Sequence, residues 1–241
     1  MSWYHITVEF ITWFVLGYFM LLNGGYMVLN VLAIVSLRMS KYERTLDGLP
    51  QVYSALEIPI SVLVPAYNEE ASIAASIRSM LQLSYSEFEI IVINDGSKDG
   101  TLDVLKREFS LQLFPEAMRV QLKTKPVRGV YQSSVYPNLR VIDKFYGGKA
   151  DSLNAGVNAS RYPLFCGVDA DSILERDSLQ HVVRPFLDDA TTVATGGTIR
   201  IANGCDVSGG FLTRVGLPRN PLALVQVAEY LRAFLFGRLG W

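Results

Sequence analysis

The chain has 241 residues, half of them apolar, with a net charge of −1 and an isoelectric point near 6.1. That length allows one substantial domain plus an appendage, and the charge balance argues against the basic face of a nucleic-acid binder. Cys166 and Cys205 form neither a disulfide framework nor a metal spacing, and the isolated histidines His5 and His181 give no zinc site.

From Phe10 to Leu37 no residue is charged. About 28 residues at 1.5 Å each make roughly 42 Å of helix, enough to cross a hydrocarbon core of about 30 Å with some tilt. The run lacks the polar stripe of a soluble core helix, and Asn23, Gly24 and Gly25 are tolerable inside a bilayer. A cleaved signal peptide would need a basic start and a shorter core, whereas Glu9 precedes this run without any Lys or Arg. Arg38, Lys41 and Arg44 follow it, so the positive-inside rule predicts that the remainder lies in the cytoplasm. The expected order is an extracytoplasmic N-terminus at 1–9, a transmembrane helix at 10–37, a juxtamembrane connector at 38–57 and a domain from 58 to 241.

The domain reads as alternating strands and helices. Ile60–Val64 is a β-branched run stopped by Pro65, and Asn68 is a candidate N-cap for a helix over 69–81, with Glu69 and Glu70 in its first turn. A second strand over Phe88–Ile93 ends at Asn94-Asp95-Gly96, and a helix from Thr101 to Phe109 follows. Further strands are expected at 139–142, 164–168 and 192–201, with helices at 149–158 and 174–187. Residues 115–138 read as an irregular excursion. This alternation predicts an α/β fold with a mostly parallel sheet covered by helices on both faces.

Three polar motifs end three of these strands: Pro65-Ala66-Tyr67-Asn68-Glu69, Asn94-Asp95-Gly96-Ser97 and Asp169-Ala170-Asp171. A parallel sheet projects all three from one carboxyl edge, where open α/β folds bind ligands. Asp169 and Asp171 alternate, so a locally extended turn can aim both at one hard cation such as Mg²⁺ or Mn²⁺. For this tripeptide alone, a solvated acidic loop capping the next helix is the plainer reading. In Gly147-Gly148-Lys149, a lysine at a helix start opposes the macrodipole, which suits a site that meets an anion such as a diphosphate. An exposed lysine in a flexible loop is the alternative. No G-x-G-x-x-G follows the first strand, which argues against a dinucleotide-binding dehydrogenase.

In series, VLVPAYNEE, INDGSKDGT, GGKADSLNAG and DADS resemble the motifs of the family 2 inverting glycosyltransferases of GT-A fold. The closest type is the membrane-bound bacterial polysaccharide-synthase branch. The resemblance covers about Ile58 to Trp241. It implies that Ala66, Tyr67 and Glu69 line a nucleoside pocket and that Asp95 meets the base. It further implies that Lys149 sits near the nucleotide, and that Asp169 and Asp171 hold a divalent metal and the diphosphate. The expected donor is a nucleotide-diphosphate sugar, a UDP-sugar, and the expected acceptor a glycan or a lipid-linked group, with no nucleic acid as partner. Gly196–Arg200 and Glu229–Arg232 are similar to segments of the same branch without a secure role. Family members place the catalytic carboxylate in a Gly/Thr-Glu-Asp motif after the segment resembling Glu229-Tyr230, so the general base is expected beyond Trp241 and the chain reads as an N-terminal portion. A polyprenyl-phosphate glycosyltransferase and a non-catalytic nucleotide-binding scaffold are the alternatives.

Overall fold

The computed structural model describes residues 3–44, 57–115, 120–197, 201–202, 204–208 and 211–234. The chain divides into two compact units, one of residues 53–197 with 205–215, the other of residues 1–52, 198–204 and 216–241.

The second of these units contains α1 (Trp3–Arg44) and a C-terminal helix (Pro221–Phe234). Within α1 the stretch His5–Leu32 is long and apolar enough to cross a membrane, and its side chains are not buried within the structure. Its polar side chains bond to their own helix: Thr7 Oγ1 donates to the Trp3 carbonyl (2.9 Å), Thr12 Oγ1 to Val8 (2.8 Å) and Asn23 Nδ2 to Phe19 (2.7 Å). Each such bond removes a donor that hydrocarbon could not satisfy. The helix runs on to Arg44, seven residues past Leu37, where a connector was expected. Residues 45–56 of that connector lie outside the described residues.

The larger unit is built on a six-stranded sheet. In chain order the elements are β1 (Ile60–Ala66), α2 (Ile73–Met80), β2 (Phe88–Asp95), α3 (Thr101–Glu108), β3 (Leu111–Leu113), β4 (Val127–Ser133), β5 (Leu139–Lys144), α4 (Lys149–Ala159), β6 (Leu164–Gly167) and α5 (Ser178–Asp188). A short antiparallel pair, β7 (Asp206–Ser208) and β8 (Phe211–Arg214), follows, and the helix at 221–234 is α6. The sheet order is β3-β4-β5-β2-β1-β6. Strands β5, β2, β1 and β6 are parallel, and β4 and β3 add an antiparallel edge.

Strand alternation sorts the core into two layers. Val62, Val64, Ile90, Val92 and Val141 face Ile73 and Ile77 of α2, Leu105 of α3 and Leu179 of α5. Leu63, Ile91, Ile93 and Ile142 face Ala155 and Ala159 of α4. Burial on both faces explains why these strands read as continuous apolar runs, and each such side chain contributes about 1.5–3 kcal/mol. Cys166 on β6 is enclosed by this packing, which pushes its thiol pKa above the ordinary range.

At the amino end of the strands, buried Glu89 accepts from Ser61 Oγ (2.6 Å) and the Arg161 amide (2.8 Å) on one oxygen. Its other oxygen accepts from Arg140 Nη2 (2.6 Å), which also donates to the Ala159 carbonyl (2.7 Å). This cluster fastens the C-terminus of α4 to the sheet edge opposite the polar motifs.

Several sequence expectations change. Helix α2 starts at Ile73, so Glu69 and Glu70 precede it, and Asn68 adopts φ 58° in the left-handed region instead of capping. Residues 127–133, read as irregular, form β4; its short partner β3 precedes them. The expected strand over 192–201 does not form across 192–197. There Thr192 Oγ1 and Thr195 Oγ1 donate to the carbonyls of Pro185 (3.1 Å) and Val182 (2.7 Å), tying the segment to α5. Residues 198–200 lie outside the described residues.

Candidate functional site

Because β1, β2, β5 and β6 are parallel, their carboxyl ends share one edge, and the three polar motifs emerge there beside the loop that enters α4. The first two loops are laced together. Asn68 N donates to Ser97 Oγ (3.0 Å), Lys98 N to Asn68 Oδ1 (2.8 Å), Glu69 N to Thr101 Oγ1 (2.9 Å) and Gly100 N to Glu70 Oε2 (2.9 Å). Asp99 also joins in, accepting from Glu70 N (3.2 Å). Its slight burial alone would raise its carboxyl pKa, but the bonds from Thr101 and the neighbouring backbone hold it below the usual value.

This lacing sets the first motif. Ala66 is buried at the end of β1, Tyr67 is 40% exposed beside it, and Glu69 is half-buried with Oε2 accepting from Ser72 Oγ (2.6 Å). Of the three, Tyr67 presents its side chain most openly at this edge.

Asp95 is 3% exposed. Its Oδ1 accepts from Lys144 Nζ and from the Gly147 amide (2.9 Å), and its Oδ2 accepts from the Gly148 amide (2.7 Å). Lys144, fully buried at the end of β5, also pairs with Asp151 in the first turn of α4 (2.7 Å) and donates to the Phe145 carbonyl (2.8 Å). The three ammonium protons thus meet three acceptors, so no donor of this buried side chain is left unsatisfied. Asp95 and Lys144 together pin the loop 145–148. Asp95, expected to meet a base, has both carboxylate oxygens bonded to Lys144 and the loop amides.

The two glycines of that loop have separate reasons. Gly148 takes φ +88°, which side chains resist, and a Cβ on Gly147 would come within 2.5 Å of Asp151 Oδ1. They let the backbone close on Asp95 and Asp151. The loop delivers Lys149 as the first residue of α4, where its Nζ bonds to Asp169 just beyond β6. The side chains of Lys149 and Asp169 are 64% and 58% exposed. Asp171 is also exposed, and Ala170 between them is buried. The segment is not extended as expected. Ser172 N donates to the Asp169 carbonyl (3.0 Å), closing a turn that holds both carboxylates at the surface.

No group of three His, Cys, Asp or Glu side chains with metal-binding geometry occurs among the described residues. Two exposed carboxylates are a hard oxygen donor set that leaves coordination positions for water and phosphate oxygens. That set fits a Mg²⁺ or Mn²⁺ ion arriving with a diphosphate and does not make a closed protein cage.

Lys144 was missed in the sequence. Its signal was a strand, LRVIDK, whose every residue is buried although three carry charge, so each charge must have a partner.

The family described as glycosyl transferase family 2 matches residues 61–210, which include every polar motif above. The poly-beta-1,6-N-acetyl-D-glucosamine synthase of Staphylococcus epidermidis is 27% identical over 155 residues, covering 64% of this chain and 32% of that protein. A probable glycosyltransferase of Bacillus subtilis, YdaM, is 33% identical over 150 residues, covering 61% of this chain and 31% of its own length. The chain therefore spans about a third of the length of these curated relatives. Among solved structures, S. aureus TarS 1–349 in complex with UDP-GlcNAc matches at 22% identity and a TM-score of 0.40, covering 54% of this chain and 31% of that one. The mannosyltransferase PcManGT of Pyrobaculum calidifontis, in complex with GDP-Man and Mn²⁺, matches at 20% identity and a TM-score of 0.43, covering 66% and 44%. With the family match over more than half its length, this chain belongs to glycosyl transferase family 2.

Proposed function

We propose that this chain is the donor-binding part of a membrane-anchored glycosyltransferase that takes a nucleotide-diphosphate sugar, a UDP-sugar, together with Mg²⁺ or Mn²⁺. The observation that carries the reading is the meeting of Tyr67, Lys149, Asp169 and Asp171 at one carboxyl edge. An aromatic face, a cation and two carboxylates match the three chemical parts of the ligand: a base, a diphosphate and the metal that neutralises it.

In this reading Tyr67 stacks on the base, within the pocket wall that Ala66 and Glu69 complete. Asp95 acts as a positioning residue, holding the Gly147-Gly148 loop so that Lys149 starts α4 facing the diphosphate. Lys149 leaves Asp169 and meets a phosphate oxygen, and Asp169 with Asp171 holds the metal. A bound divalent metal supplies Lewis-acid stabilisation of the charge that develops on the departing diphosphate. An acceptor hydroxyl displaces the diphosphate with inversion, its proton going to a general base.

The apolar stretch of α1 and the basic residues after it support an anchor with this edge in the cytoplasm. Similarity to poly-beta-1,6-N-acetyl-D-glucosamine synthases supports a growing polysaccharide as the acceptor. Calorimetric titration of UDP into the full 241-residue chain in detergent micelles tests the reading. Saturable binding is expected; its absence from a folded chain overturns the proposal.

A further inference from the structure

The loop 145–148 carries an aromatic side chain that the reading above does not use. Tyr146 is 61% exposed, and its ring centroid lies 5.0 Å from that of Tyr67, with the planes 51° apart. Two large aromatics at a ligand edge that each leave so much ring in water gain little from burial.

The backbone beneath Tyr146 is held from several sides. Phe145 N donates to the Pro126 carbonyl (3.1 Å), the Phe145 carbonyl accepts from Lys144 Nζ (2.8 Å), and the amides of Gly147 and Gly148 bond to Asp95. Gly96, at φ +66°, lies so close that a Cβ there would meet Tyr146 N at 2.8 Å. The ring of Tyr146 is thus a side chain standing in solvent on a pinned support, opposite a second ring fixed by the end of β1.

We infer that Tyr146 is the second wall of a nucleobase slot, with Tyr67 the first. The inference rests on the nucleotide-binding reading above. A flat base in van der Waals contact with a ring on each side needs those rings about 7 Å apart and near parallel. The observed pair is closer and tilted, so the inference requires the Tyr146 side chain to turn about χ1 to admit a base, its backbone being held as described. Such a wall recognises an aromatic plane, because every base offers a π-face.

The test uses the full chain in detergent micelles with Mn²⁺ present, and reads the affinity of UDP and of inorganic pyrophosphate, which has no base. Tyr146→Ala is expected to weaken UDP roughly 5- to 150-fold, the range for loss of one base–aromatic stack, and to leave pyrophosphate unchanged. Tyr146→Phe should keep the UDP affinity, and Tyr146→Leu, apolar but not aromatic, should not. Circular dichroism of each variant establishes that it is folded. Unchanged UDP affinity in Tyr146→Ala, with a loss in Tyr67→Ala, overturns the second wall and leaves the nucleotide reading standing. An equal loss of UDP and pyrophosphate in Tyr146→Ala also overturns it, because the effect would then run through the loop. Failure of the parent chain to bind UDP overturns the reading on which the inference rests.

Discussion

Lys149 and Asp169 form an ion pair between the first residue of α4 and the turn after β6, twenty positions apart in sequence. Both side chains are more than half exposed, so the pair adds little to stability, within the 0–1 kcal/mol usual for surface pairs. In the proposed reading the partners are exchangeable: a metal replaces the ammonium on Asp169 while a phosphate replaces the carboxylate on Lys149.

That exchange predicts effects of opposite sign. Lys149→Met should free Asp169 and tighten binding of Mn²⁺ alone, while weakening UDP in the presence of Mn²⁺. Electron paramagnetic resonance of free Mn²⁺ and calorimetry with UDP read the two separately. Weakening of both would mean that Lys149 supports the fold of the turn and does not compete with the metal.

Asp95 is predicted to matter first for stability. Removing its carboxylate leaves the fully buried Lys144 with one carboxylate, Asp151, and strips two loop amides of their acceptor. Breaking a buried pair costs about 3–5 kcal/mol. Asp95→Ala should therefore lower the midpoint of chemical unfolding markedly, and its UDP affinity should fall through disorder of the loop. An unfolding midpoint equal to the parent's, with UDP binding lost, would return Asp95 to direct contact with the base.

Tyr85 sets an alkaline limit for the sheet unit. Its hydroxyl donates to the Ile58 carbonyl (2.7 Å), and burial, aided by the charge of Glu57, pushes its pKa up to about 12. The folded pKa lies above the unfolded value near 10, so the stabilising contribution is complete below about pH 10. It is lost as pH climbs from there through 12. The stability difference between parent and Tyr85→Phe should be constant below pH 10 and shrink above it. A difference that stays constant to pH 12 would contradict the shift.

The proposed topology rests on Arg38, Lys41 and Arg44. A reporter joined after Glu57 is expected to be active only as a cytoplasmic fusion. Activity of a periplasm-specific reporter at that junction would put the nucleotide edge on the wrong side for a cytoplasmic sugar donor.

The parallel core was legible because strands buried on both faces must be apolar throughout, as Ile90–Ile93 are, and the order of the helices between them then fixes the carboxyl edge. What stayed hidden depends on contacts distant in sequence. Asn68 looks like a helix cap, but its side chain is taken by Lys98 N, thirty positions on, and the helix starts later. Strand β4 interleaves Arg128, Gly129 and Gln132 with apolar residues and is only partly buried on the antiparallel side, so its periodicity is weak. Asp95 stands out in the sequence by its position at a strand end, while its partner Lys144 is identified only by the buried charge it must neutralise.

The central claim is that Asp169 and Asp171 make nucleotide binding metal-dependent, and one set of titrations tests it most directly. UDP and uridine are each titrated, with and without Mn²⁺, into the full chain and into Asp171→Asn in detergent micelles. The account predicts that Mn²⁺ tightens UDP binding to the parent by about tenfold or more, ~1.4 kcal/mol. That gain should disappear in Asp171→Asn, while uridine, lacking phosphate, ignores both the metal and the substitution. UDP affinity in the parent that is the same with and without Mn²⁺ would contradict it, and would leave Asp169 and Asp171 as carboxylates of a surface turn.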